Sequence, residues 1–179
     1  MLKFLVLFSL TLLILMMPQL SALFHWQHDV TSSHQWWRIF TGSFTHINAY
    51  HLGMNVIGYW LLAYLFRTPT KGFILHTAVL ALCVGIGLMF TSTQNYYGLS
   101  GVLHGLFAVY VLKEILAGRL SSWLLLMGLI AKLIAENNHM MPISSAALIG
   151  ARVSTESHLI GSVCGLALPL IALGWRRLR

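Results

Sequence analysis

Acidic side chains are scarce in this chain. Asp29, Glu114, Glu136 and Glu156 are the only four among 179 residues. Charged residues of both signs make up 8% and hydrophobic residues 58%, where a soluble domain carries about 25% charged residues. That shortage excludes an ordinary water-soluble globular protein. It also argues against a proton- or cation-coupled carrier, which uses carboxylates within the membrane. The two cysteines, Cys83 and Cys164, both sit inside apolar runs. They imply no disulfide framework and read as small buried hydrophobes. No H-E-x-x-H pair occurs, which removes the commonest zinc-protease pattern, and no metal or other cofactor is expected. The formal net charge of +7 is dispersed along the chain and forms no phosphate-binding stripe, so nucleic acid is not expected as a partner.

What is abundant is long apolar sequence. Six runs suit spans of about 20 residues each: residues 2–24, 49–66, 72–91, 99–116, 122–135 and 157–174. The first run has a basic start and a small Ser21-Ala22 pair, as a signal peptide does. It is longer than a typical signal h-region, however, and is read as a retained helix. Six spans leave short connections and no room for a second domain, so residues 1–179 are read as one transmembrane domain. With the N-terminus cytoplasmic, Lys3, Arg67, Lys71, Lys113, Arg119, Arg176, Arg177 and Arg179 all fall inside. Only Arg38, Lys132 and Arg152 fall outside. The positive-inside rule therefore favours an all-α, six-helix bundle with both termini in the cytoplasm. The segment 25–48, with Trp26, Trp36 and Trp37, is expected to lie in the outer interface, where tryptophan is favoured.

This topology places four polar groups at one depth. His51 and Asn55 open the second helix, Ser100 the fourth and His158 the sixth. Intramembrane polar groups of this kind face a bundle interior or a water cavity. Acyl transfer suits them. Ser100 is a weak nucleophile until a base takes its proton, and a neutral His158 can do so. His51 and Asn55, spaced i, i+4, share a helix face and can donate to an oxyanion. The Ser100 amide, unpaired in the first turn, can supply another donor. Glu156 is poorly spaced to serve His158, and no third acid is evident, so the constellation reads as a dyad. Gly101 with Gly105 and Gly161 with Gly165 form two G-x-x-x-G faces that let helices approach closely.

These residues resemble the rhomboid family of intramembrane serine proteases. Trp37-Arg38 looks like the family's first-loop W-R pair, and His51-Leu52-Gly53-Met54-Asn55 like its H-x-x-x-N. Gly98-Leu99-Ser100-Gly101 looks like its G-x-S-G, and His158-Leu159-Ile160-Gly161 with Gly165 like its H-x-x-G-x-x-x-G. The resemblance implies Ser100 as nucleophile and His158 as base. It implies His51, Asn55, Gly98 and Leu99 around the oxyanion and substrate, with Trp37 and Arg38 supporting lateral access. Most rhomboids carry tyrosine four residues after the serine. Here that position is His104, either a neutral replacement stacking under His158 or a second titrating group. Histidine there and the compact build resemble the rhombosortase branch. That branch implies substrates with a Gly-Gly motif, an apolar helix and a basic end at the C-terminus. It also implies the inner membrane of a Gram-negative bacterium, with the site open to the periplasm. A non-catalytic rhomboid-like escort protein, or a small transporter using the same polar cluster, are the competing readings.

Overall fold

The computed structural model describes residues 1–138, 150 and 153–177. The connection expected over 137–155, with Pro142 and Arg152, falls largely outside the described residues, as does Arg179. The described chain is mostly helical. In order, the elements are α1 (Leu2–Leu15), α2 (Pro18–Phe24), β1 (Trp26–Gln27), α3 (Trp37–Thr41), a 3-10 turn (Gly42–Phe44) and α4 (Ala49–Phe66). Then follow α5 (Thr70–Leu88), β2 (Asn95–Tyr96), α6 (Ser100–Leu116), α7 (Ser122–Asn137) and α8 (Thr155–Arg177).

Helix ends follow local chemistry. The Asn48 side chain accepts the His51 N–H at 2.9 Å and caps α4. Arg67 turns left-handed at φ 44°, and Pro69 then prevents α4 from continuing into α5. The single helix expected over 2–24 is corrected here. It is two helices bent by 96°, because Pro18 has no N–H to continue the ladder and instead starts α2. The segment 25–48, expected as a loop in the outer interface, is likewise not a plain loop. It contains β1, α3 and the 3-10 turn, and β1 pairs antiparallel with β2, Trp26 opposite Tyr96.

Among the described residues, two helices are long and apolar enough to cross a membrane, Thr70–Leu88 and Thr155–Trp175, with a third if the bent α1–α2 pair counts as one span. This is an integral membrane protein. α6 is the central element and packs against α4, α5, α7 and α8. Its Val102, Leu106 and Val109 are fully buried in a core shared with Tyr59 of α4 and with Phe73 and Leu80 of α5. The Tyr59 hydroxyl meets the Thr77 hydroxyl at 2.9 Å, satisfying a polar pair inside that core. Outward positions such as Ile57, Leu75, Leu124 and Ile171 are apolar and exposed, as a lipid-facing surface requires.

α6 and α8 approach each other closely. A Cβ on Gly161 would lie 1.9 Å from the Gly101 carbonyl oxygen, and one on Gly165 would lie 2.2 Å from that of Gly105. The two G-x-x-x-G faces therefore meet each other, backbone on backbone.

Candidate active site

The α6–α8 seam delivers the first residues of both helices to the same place. Ser100 Oγ lies 3.0 Å from His158 Nε2. Ser100 is the first residue of α6, preceded by Leu99 as N-cap with no side-chain cap, so the first amides of the helix keep their donors. A cavity of about 540 Å³ opens over the pair, and its lining includes His51, Asn55, Ser100, His104, Glu136 and His158.

His51 and Asn55 enter from α4, both buried. Asn55 Nδ2 and His51 Nδ1 are buried without a hydrogen-bond partner among the described residues. Such a donor is costly unless something occupies it. Gly98 makes room for both side chains. It holds φ +108°, and a Cβ there would lie 2.5 Å from the His51 ring and 3.3 Å from Asn55 Nδ2. Here glycine is required twice, by backbone conformation and by space. Leu99 does not join them. Its side chain is fully buried in the hydrophobic core.

Behind His51 stands His46, buried, its ring 5.1 Å from that of His51. Burial first, and His51 second, push its imidazole down to about 3, so it stays neutral. From sequence His46 reads as an interfacial or structural histidine, and its place behind His51 follows from the 3-10 turn. Tyr96, in β2, lies beneath the serine and donates to the Gly98 carbonyl at 2.5 Å. Burial raises its phenol to about 12, against neighbouring hydrogen bonds that lower it.

His104 lies one turn below Ser100. Its Nδ1 donates to the Ser100 carbonyl at 2.8 Å, and its ring stacks on His158 with centroids 4.0 Å apart and planes 16° apart. Trp37 and Arg38 lie away from the cavity. The indole Nε1 of Trp37 donates to Leu23 O at 3.1 Å, and Arg38 donates to His25 O at 2.7 Å and Ala22 O at 3.0 Å. His25 in turn stacks on Tyr97, which lines the cavity. The pair thus reaches the site indirectly, by fixing the end of α2 against the strand pair.

No acid beside His158 is evident from the sequence, but the structure brings Glu136 of α7 to it. Glu136 Oε2 lies 2.9 Å from His158 Nδ1, while its Oε1 pairs with Lys132 one turn earlier. Glu136 is distant in sequence from His158 and enters through packing, so neither spacing nor helical periodicity reveals it.

His104, Glu136 and His158 offer ligand atoms within 4.8 Å of one another, which raises a cation as an occupant. The geometry fits poorly. Nitrogen lone pairs lie in the ring planes, and two nearly parallel stacked rings do not aim them at one ion about 2.0–2.1 Å from each. Both His158 nitrogens also have partners already.

A serine hydroxyl on an imidazole, at a helix N-terminus and beside an unpaired buried amide, is the arrangement acyl transfer needs. No curated protein gives a match to the chain. The family model described as Rhomboid domain matches residues 33–175, a span that takes in every side chain around the cavity. The chain belongs to the rhomboid family, whose domain points to intramembrane serine proteolysis.

Proposed function

We propose that this protein is an intramembrane serine endopeptidase, with Ser100 as nucleophile and His158 as general base. The observation that carries the reading is the 3.0 Å contact between Ser100 Oγ and His158 Nε2 inside a cavity walled by Asn55. His158 takes the hydroxyl proton as Oγ attacks a scissile carbonyl. The resulting oxyanion is met by the Asn55 amide, the Ser100 N–H and His51. His158 returns the proton to the leaving amine, and water then resolves the acyl-enzyme by the same steps. His104 is the stacking floor that keeps the His158 ring upright, and Gly98 shapes the oxyanion wall. Leu99 contributes through its backbone at the α6 N-cap.

The substrate class is a C-terminal transmembrane tail with a Gly-Gly motif ahead of an apolar helix and a basic end, as in the rhombosortase branch. Gly-Gly weakens a helix, so the scissile segment extends into the cavity at little cost. The topology that serves this chemistry is six spans with both termini cytoplasmic, in the inner membrane of a Gram-negative bacterium. The cavity then opens toward the periplasm.

The test is cleavage of a reporter protein carrying such a tail, by the full-length protein in proteoliposomes. Ser100→Ala and His158→Ala are each expected to abolish product. Undiminished cleavage by either variant sinks the proposal. A reporter that is captured but released intact favours the escort alternative.

A further inference from the structure

Glu136 belongs to no motif of the sequence, and a serine–histidine dyad does not require it. Its carboxylate nevertheless divides its two oxygens between two partners, Lys132 at Oε1 and His158 Nδ1 at Oε2. The contact is sheltered, with side-chain exposure of 5% at His158 and 11% at Glu136. At such a site an ionic hydrogen bond is little screened by solvent. An ionised carboxylate only accepts, so the Nδ1 beside it carries the proton. The lone pair of the neutral ring is thereby at Nε2, the atom facing Ser100 Oγ.

We propose that Glu136 is a positioning residue that completes a Ser100–His158–Glu136 relay. It holds His158 in the Nδ1–H tautomer, fixes the ring angle and stabilises the imidazolium formed when Nε2 takes the Ser100 proton. The proton moves from Oγ to Nε2. Nδ1 keeps its own proton throughout, and Glu136 remains a carboxylate. Three directions of support converge on one ring: the α6–α8 backbone seam, the His104 stack and the α7 carboxylate. Glu136 shares the cavity wall with Ser100 and His158, so the relay lies along one side of the space a substrate occupies. The role rests on the serine-protease reading above.

The experiment uses the full-length protein in detergent micelles and a fluorophosphonate probe, which reports serine activation without any assumption about the substrate. Glu136→Gln keeps the shape and loses the charge. Its maximal rate of Ser100 labelling is expected to fall by about a hundredfold or more, with half-saturating probe concentration unchanged. Glu136→Asp, which keeps the charge, is expected to recover part of that loss. Labelling of Glu136→Gln within twofold of the unaltered protein overturns the proposal. Because either variant risks misfolding, ¹⁵N-histidine NMR of the unaltered protein gives an independent reading. The His158 proton is expected on Nδ1, and a proton on Nε2 overturns the proposal. If the unaltered protein labels no more than Ser100→Ala, the serine-protease reading fails and the role of Glu136 falls with it. Labelling that survives in Glu136→Gln but vanishes in Ser100→Ala removes the relay and leaves the dyad standing.

Discussion

His158 is held on two sides by two different kinds of structure. Toward α6 the support is backbone. Gly161 and Gly165 lie against the carbonyls of Gly101 and Gly105, with no side chain between the helices. Toward α7 the support is one carboxylate near the end of a loosely packed helix. Only Ser122 and Leu129 are buried among its residues. Polar contacts hold its two ends, Ser122 to Glu114 at 2.5 Å and Glu136 to His158 at 2.9 Å. The seam sets how far the base stands from the nucleophile. The α7 side sets which nitrogen holds the proton. Distance is thus entrusted to a backbone-on-backbone contact, and protonation state to an adjustable side chain.

The largest effect is expected at the seam. In Gly161→Ala the new methyl carbon meets the Gly101 carbonyl oxygen at 1.9 Å, and backbone cannot rotate away as a side chain can. The helices must separate, at a cost of about 3 kcal/mol or more. Moving α8 also breaks the Ser100–His158 contact. Denaturant titration in mixed micelles is expected to show that loss of stability, together with loss of reporter cleavage. Gly174→Ala, on the same helix but with open space around the new methyl, is the control. It is expected to be neutral or to stabilise by up to about 1 kcal/mol, from helix propensity. Equal damage from both substitutions contradicts the view that the seam sets the catalytic distance.

Asn55→Ala is expected to separate activity from stability. Loss of one oxyanion donor lowers turnover by about 10²–10³-fold. The amide nitrogen it removes is buried with no partner among the described residues, so stability is expected to hold or rise slightly. Turnover and melting temperature measured on one preparation check both halves. A variant that melts early and cleaves normally makes Asn55 a structural residue.

The two flanks of His158 were not equally legible in sequence. The seam was, because small residues four apart lie on one helix face, and two such faces next to polar helix openings suggest a crossing there. Helices α4 and α6 begin and end within a residue of where apolar runs and caps place them. The break at Pro18 was hidden by apolar residues on both sides of it, although proline alone carries the physical reason. Glu136 was hidden for a different cause. Its distance from His158 along the chain carries no period, and its Lys132 partner suggests an ordinary i, i+4 surface pair. Leu99 illustrates the reverse case. Its position within Gly98-Leu99-Ser100 placed it around the oxyanion and substrate, and the structure buries its side chain in the core.

The smallest effect is expected from Lys132→Met. Lys132 makes no described hydrogen bond to Ser100 or His158; it pairs with Oε1 of Glu136, the oxygen turned away from His158, and lines the same cavity. Its side chain is 43% exposed, so water and salt screen much of its charge, and water can replace it at Oε1. Removing it leaves the Oε2 contact to Nδ1 in place while allowing the carboxylate more rotamers. Turnover of the reporter is therefore expected to fall by less than about tenfold, with no change in melting temperature. Raised salt is expected to have little further effect on the variant, because the pair that salt would weaken is already gone. A loss as large as that of Glu136→Gln gives the ammonium a share in holding the relay, and α7 then constrains His158 through two residues one helical turn apart rather than through a single carboxylate.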